Sequence, residues 1–199
     1  MKLYYLTGAC SLASVISLLE AGLKFELVKV DRHTRKTGDG LDFNEVNPKG
    51  YVPALKLDNG EVLTENVAVL QYIADRNPAA KLAPPFGTME RYRLMEWLAF
   101  INSEVHKGFS PLFRKDAPED VKQYTRKHLA TRLEFLQRVL ANRNFLMGEQ
   151  FTVADAYLFT VLGWSVHVNV DIGQLKRYVE RIGARPHVIE AMKAEGLIK

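Results

Sequence analysis

The chain of 199 residues contains a single cysteine. An intramolecular disulfide, a CxxC redox pair and a cysteine-rich zinc site all need at least two, so all three are excluded. The five histidines, His33, His106, His128, His167 and His187, are scattered without an HxxxH or HExxH spacing, so no metal site is expected. No run of five Lys or Arg occurs, and basic residues alternate with acidic ones, which argues against nucleic acid as a partner. Long apolar stretches are also missing. The opening MKLYYLTGAC carries no signal-peptide core, and the most apolar segment, Ala156–Val168, falls short of the roughly 20 residues of a membrane helix. A soluble, cytoplasmic protein without membrane contact is therefore expected.

What is present points to ordered globular structure. Hydrophobic residues make up 47% and charged residues 25%, with ten Phe, eight Tyr and two Trp, a balance that excludes intrinsic disorder. The 27 Lys and Arg against 23 Asp and Glu leave a net charge of +4, which would favour a small acidic ligand wherever the cations gather.

The two halves have different periods. Lys2–Leu6 reads as a strand, Ser11–Ala21 as a helix ending at Gly22, and Phe25–Val30 as a second strand parallel to the first. After a polar stretch with a short helical piece come Ala54–Leu57 and Glu61–Leu63, separated by Asp58-Asn59-Gly60, a hairpin signal in which Asn59 and Gly60 would both take positive φ. A helix opened by Thr64 or Glu65 follows. The order β-α-β-α-β-β-α is that of a thioredoxin-like fold. Pro78, Pro84, Pro85 and Gly87 mark a linker, so residues 1–78 form an α/β N-terminal domain, 79–87 the linker, and 88–199 an all-α C-terminal domain. In that domain Thr88–Lys107 and Glu119–Leu140 have helical period, Phe151–Val168 is apolar all round and should be a buried central helix, and Pro186–Ala194 is a last short helix. Thr152 and Asp155 fit a capping box at the start of the central helix, a structural role.

Four places could carry chemistry. Cys10 directly precedes a helix, where backbone N–H groups favour a thiolate, and Ser11 could donate to its sulfur; the alternative is a buried small hydrophobe. Ala99, Asn102, Ser103 and His106 share a stripe opposite Leu94, Trp97, Leu98, Ile101 and Val105, so they line a ligand cleft or a subunit interface, or else face solvent. Val52-Pro53 precedes a strand whose backbone could pair with an extended peptide, or is an ordinary strand start with Pro53 structural. Glu65 and Asn66 open a helix whose free N–H groups could hold a carboxylate, with Glu65 suited to an amine; capping explains them equally.

These residues sit in longer motifs. MKLYYLTGACSLA, EVNPKGYVPALKLDNGEVLTENVAVLQYIAD, EWLAFINSEVHKGFSPLF, FTVADAYLF and the terminal AEGLIK, in this order, resemble the glutathione transferases, specifically the bacterial beta class, over essentially the whole chain. The resemblance implies a homodimer that uses glutathione as co-substrate, without a further cofactor. Cys10 would lie beside the glutathione sulfur, Val52 would pair with the cysteinyl backbone, Glu65 and Asn66 would hold the γ-glutamyl end, and Arg35 would approach the glycyl carboxylate. Ser103 and Glu104 would come from the neighbouring subunit, and His106 with Lys107 would complete the site. Phe109, Phe113, Trp164 and His167 are candidates for the pocket of a small hydrophobic electrophile, as is Tyr157, which core packing would also explain. The chain departs from the family in having Asn66 where a small residue is common and Ala99 where Asn is frequent. The implied activity is conjugation of glutathione in detoxification, with thiol transfer or peroxide reduction through a Cys10 mixed disulfide as a second chemistry. The alternative is a non-catalytic protein that sequesters hydrophobic compounds with glutathione as an occupant.

Overall fold

The computed structural model describes all residues, Met1–Lys199. The chain forms two compact units, Met1–Ala83 joined by Arg185–Lys199, and Pro84–Ala184.

The first unit is built on a four-stranded mixed sheet, β1 (Lys2–Tyr5), β2 (Glu26–Lys29), β3 (Ala54–Lys56) and β4 (Val62–Thr64), in the order β2-β1-β3-β4. β1 and β2 are parallel, with Lys2 opposite Glu26, whereas β3 is antiparallel to both β1 and β4. The crossover between the parallel strands is α1 (Leu12–Glu20), which stops where Gly22 turns left-handed at φ 63° and the Leu23 N–H closes on Leu18 O at 3.1 Å. The β3–β4 connection is a hairpin, but not of the expected kind. Gly60 alone takes positive φ, its N–H bonds Leu57 O, and Leu57 N–H bonds Glu61 O. Asp58-Asn59-Gly60 is thus a type I turn followed by a left-handed glycine, which relieves Asn59 of the strained conformation. On one face of the sheet Tyr4, Val28, Ala54 and Val52 pack around Phe43 of the short helix α2 (Phe43–Val46), with the Tyr4 and Phe43 rings 5.8 Å apart. α3 (Asn66–Arg76) packs against α1.

The second unit is helical: α4 (Met89–Phe100), α5 (Lys107–Phe109), α6 (Glu119–Leu140), α7 (Val153–Leu162) and α8 (Leu175–Gly183). All ten residues of α7 are buried, the central helix that its unbroken apolar composition demands. Between α4 and α5 the chain is a π-helix over Ile101–His106, in which the Lys107 N–H reaches back to Asn102 O. Apolar periodicity does not register this widening. α6 buries Leu129, Leu133, Leu136 and Leu140, while Val121 and Tyr124 of its first turns are exposed. α8, for which no helix is expected from the sequence, buries Leu175, Tyr178 and Ile182 as one stripe at helical spacing.

The helical unit does not run to residue 199 as expected. Instead the last helix, α9 (Pro186–Ala194), packs on α1 of the first unit. Arg185 and His187 meet the Glu20 carboxylate, and Glu195, just past α9, accepts the Gly8 N–H at 2.8 Å.

Two buried carboxyls anchor the units. Asp155 accepts from Leu146 N–H and the Tyr178 hydroxyl on one oxygen, and from the Thr152 N–H and hydroxyl on the other, all at 2.8–2.9 Å. The capping box is formed, and it also ties α7 to α8 and to the preceding loop. Asp155→Ala leaves these donors without an acceptor and should cost roughly 3 kcal/mol or more, against about 1 kcal/mol for Thr152→Ala, read as shifts in the urea unfolding midpoint.

Glu195 is the second. One of its oxygens receives Gly8 N–H, and the other is buried without a partner. Burial raises its pKa to about 7, against the opposing pull of the Gly8 bond and of Lys29. Between the ordinary carboxyl value and about 7 the unfolded chain releases this proton while the folded chain keeps it. Stability therefore falls as pH rises through that window and levels off above it, by a total on the order of 3 kcal/mol. Glu195→Gln should flatten this part of the profile, measured by chemical unfolding from pH 5 to 8.

Candidate functional site

In the first unit Val52 and Asn66 meet the β1–α1 turn at Cys10. Gly8, at φ 70°, lets the chain reverse after β1, and Cys10 lies just ahead of α1. The Cys10 thiol is partly exposed and donates to Val52 O at 3.4 Å. The Val52-Pro53 peptide is cis, and the Val52 N–H makes no bond within the chain. A thiol and an unpaired backbone donor thus share one edge, an arrangement suited to an extended peptide that carries a sulfur.

Two side chains serve the turn differently from expectation. Ser11 does not bond the sulfur; its buried hydroxyl exchanges hydrogen bonds with the Leu6 backbone and closes the turn behind Cys10. Asn66 is buried as well, its amide donating to Cys10 O at 3.3 Å and its carbonyl accepting from Ser14 at 2.9 Å. With the side chain so committed, only its backbone at the start of α3 can face a ligand. The Asn66 side chain works as a strut between α3 and the thiol turn.

Glu65 stands at the α3 N-terminus with φ 69°, a conformation that costs a non-glycine residue on the order of 1–3 kcal/mol and marks a constrained site. Its carboxylate is exposed and paired with Lys49 Nζ at 2.8 Å, which also donates to the Thr64 hydroxyl. Lys49 was missed by sequence reasoning, since a lysine in a polar loop has no signature. Arg35, itself at φ 60°, lays its guanidinium 5.9 Å over the Phe43 ring and against Gly50. A Cβ at Gly50 would sit 2.7 Å from Arg35 Nη2, so glycine is what admits this side chain to the loop leading to Val52.

The second unit holds the remaining candidates. His106 ends the π turn, its Nδ1 at 2.6 Å from the buried Tyr157 hydroxyl, which in turn donates to Asn102 Oδ1 at 3.0 Å. Burial, with the Lys107 charge adding to it, lowers the His106 pKa to about 4, so the ring is neutral at neutral pH. The Trp164 ring lies edge-on to His106 at 4.8 Å and is met by Phe109 and Phe113 at 6.2 and 5.9 Å. Phe109 has no exposed surface and so supports Trp164 from below, whereas Phe113 is exposed. His167 is exposed and makes no ring contact with this cluster. Ser103 and Lys107 are exposed on the π turn and just after it. Glu104 points the other way, to Arg132 at 2.7 Å and His128 at 3.4 Å on α6, and the Arg132 hydrogen bond holds its pKa below the ordinary value.

Residues 8–76 match the family described as Glutathione S-transferase, N-terminal domain, and residues 100–186 its C-terminal domain. Glutathione S-transferase GstA of Escherichia coli O157:H7 is 46% identical over 99% of this chain and 100% of its own. A sphingomonad glutathione S-transferase solved in complex with glutathione is 49% identical over the full length of both chains, with a TM-score of 0.95. The chain belongs to the glutathione S-transferase family, and its activity is that of a glutathione transferase. Within the family it sides with the bacterial beta class: the beta-class enzyme of Sphingomonas chungbukensis matches it at 49% identity over both whole chains and a TM-score of 0.95.

The burial of His106 has a direct readout. Its ring should titrate by NMR with a midpoint near pH 4, and Lys107→Ala should raise that midpoint only slightly, because burial is the larger cause.

Proposed function

We propose that glutathione lies extended along the first unit, with its sulfur beside Cys10, its cysteinyl backbone on Val52, its glycyl carboxylate toward Arg35 and its γ-glutamyl end at Glu65 and the Asn66 backbone. The observation that carries this reading is the single edge on which the Cys10 thiol reaches Val52 O while the Val52 N–H is left to pair with a peptide. The Lys49–Glu65 pair is exposed and opens at little cost, so a ligand ammonium can take the carboxylate and a ligand carboxylate the lysine.

In this reading His106 and Lys107 act on the glutathione sulfur, Ser103 and Glu104 serve the neighbouring subunit's ligand, and Phe113 with Trp164 receives a small hydrophobic electrophile. The thiolate attacks the electrophilic carbon, a C–S bond forms, and the leaving group departs with its bonding electrons. No helix is long and apolar enough to cross a membrane, and we place the enzyme in the cytoplasm as a detoxifying homodimer. The exposed faces of Met89 and Tyr92, and the Trp97–Phe100–Phe135 ring cluster, support a protein partner on the helical unit.

A second chemistry is favoured by the placement of a partly exposed thiol at a helix start. The Cys10 thiolate attacks the glutathione sulfur of a mixed disulfide between glutathione and another thiol, releasing that thiol as its thiolate and leaving Cys10 disulfide-bonded to glutathione; a second glutathione thiolate then restores the Cys10 thiolate and leaves as glutathione disulfide.

Both are tested with wild type, Cys10→Ala and His106→Ala, assayed for conjugation to a chloronitrobenzene and for glutathione-dependent disulfide reduction. His106→Ala should lower conjugation kcat/KM by about 100-fold. Cys10→Ala should abolish disulfide reduction and leave conjugation within about tenfold. Glutathione binding with neither activity in the wild type would favour sequestration of hydrophobic compounds instead.

A further inference from the structure

The contacts of the Tyr157 hydroxyl determine more than packing. A phenol has one proton, and here it goes to Asn102 Oδ1, a carbonyl oxygen that can only accept. Toward His106 the phenol oxygen is therefore the acceptor, and the 2.6 Å contact requires the proton on Nδ1. A neutral imidazole carries one N–H, so Nε2 keeps its lone pair. In water the neutral ring prefers the opposite tautomer. Without the phenol, Nε2 would carry the proton and could accept nothing.

The backbone makes the arrangement. Asn102 and His106 lie at the two ends of the π turn, whose Asn102 O to Lys107 N–H bond spaces them so that both meet one phenol. π turns recur at functional positions because they re-aim side chains in this way. Tyr157 comes from the fully buried α7, so the hydroxyl is held by the rigid centre of the unit. Trp164, edge-on at 4.8 Å, restrains the plane of the imidazole.

We propose that Tyr157, oriented by Asn102, is a positioning residue that fixes His106 as the Nδ1–H tautomer and so reserves Nε2 to accept the proton of the glutathione thiol. The proposal rests on the reading of His106 given above. In the step, the proton leaves sulfur for Nε2, the S–H bonding pair stays on sulfur as thiolate, and the new Nε2–H faces that thiolate. The Nδ1, Tyr157 and Asn102 protons do not move.

The tautomer is read directly from the ring 15N shifts of His106 in long-range 1H–15N correlation spectra at pH 7. The wild type should show Nε2 as the unprotonated nitrogen. Tyr157→Phe should move the ring toward Nε2–H and lower conjugation kcat on the order of tenfold, with the KM for glutathione within about twofold. Asn102→Leu, which keeps the phenol but removes its acceptor, frees the phenol proton for Nδ1 and should switch the tautomer likewise. Asn102→Asp, which retains an acceptor oxygen, should preserve it. An Nε2–H tautomer in the wild type, or an unchanged Nδ1–H tautomer in both Tyr157→Phe and Asn102→Leu, overturns the proposal. If the tautomer switches as stated but His106→Ala and Tyr157→Phe both conjugate at the wild-type rate, the relay stands and the catalytic reading of His106 falls.

Discussion

The placement of the thiol depends on side chains that hold backbone groups of one turn from three directions. The β1–α1 turn has backbone bonds of its own, Ala9 N–H to Leu6 O and Leu12 N–H to Ala9 O, and buried side chains tie it to its surroundings. Ser11 closes it onto Leu6, Asn66 holds the Cys10 carbonyl from α3, and Glu195 holds the Gly8 N–H from beyond α9. Each of these groups is buried, so each bond carries the full cost of being broken. Cys10 inherits its position from them, and what Val52 adds is a direction for the sulfur.

The helical unit solves the same problem with a different device. Its rigid element is α7, buried along its whole length and fixed at its start by Asp155. A polar group carried on such a helix has nowhere to move, and the widened turn at Ile101–His106 brings its partners to it. Trp164 then serves two neighbours, a restrained imidazole on one side and the Phe113 ring on another. Rigid core, local widening and aromatic contact together give a histidine that stays neutral at neutral pH yet is held in one orientation.

Much of this was legible in the residues and some could not be. Long regular patterns read well: Glu119–Leu140 was bounded correctly because leucines recur over several turns, and Thr152 with Asp155 marked the start of α7. Cys10, Val52 and Glu65 stand out as candidates because a thiol before a helix, a proline before a strand and an acid at a helix start each imply a chemistry. The π turn was invisible, since a one-residue slip in hydrogen bonding leaves the apolar spacing almost intact and only re-aims side chains. Glu104, which regular helical spacing already sets off the stripe of Asn102, Ser103 and His106, turns to Arg132. Glu195 and the strut made by Asn66 have no signal of this kind. Their partners lie far away in the chain, and no local pattern encodes a bond between residues 8 and 195. α8 was overlooked despite a usable signal, its three buried residues being few beside the charged ones between them.

The return of residues 185–199 to the first unit has a consequence for how the protein is made. Residues 185–199 follow the helical unit in the chain, so α9 and Glu195 are translated only after Pro84–Ala184 has been made. The β1–α1 turn therefore gains its bond from Glu195 later in synthesis than the whole of the helical unit, although domains otherwise fold as units in the order they emerge.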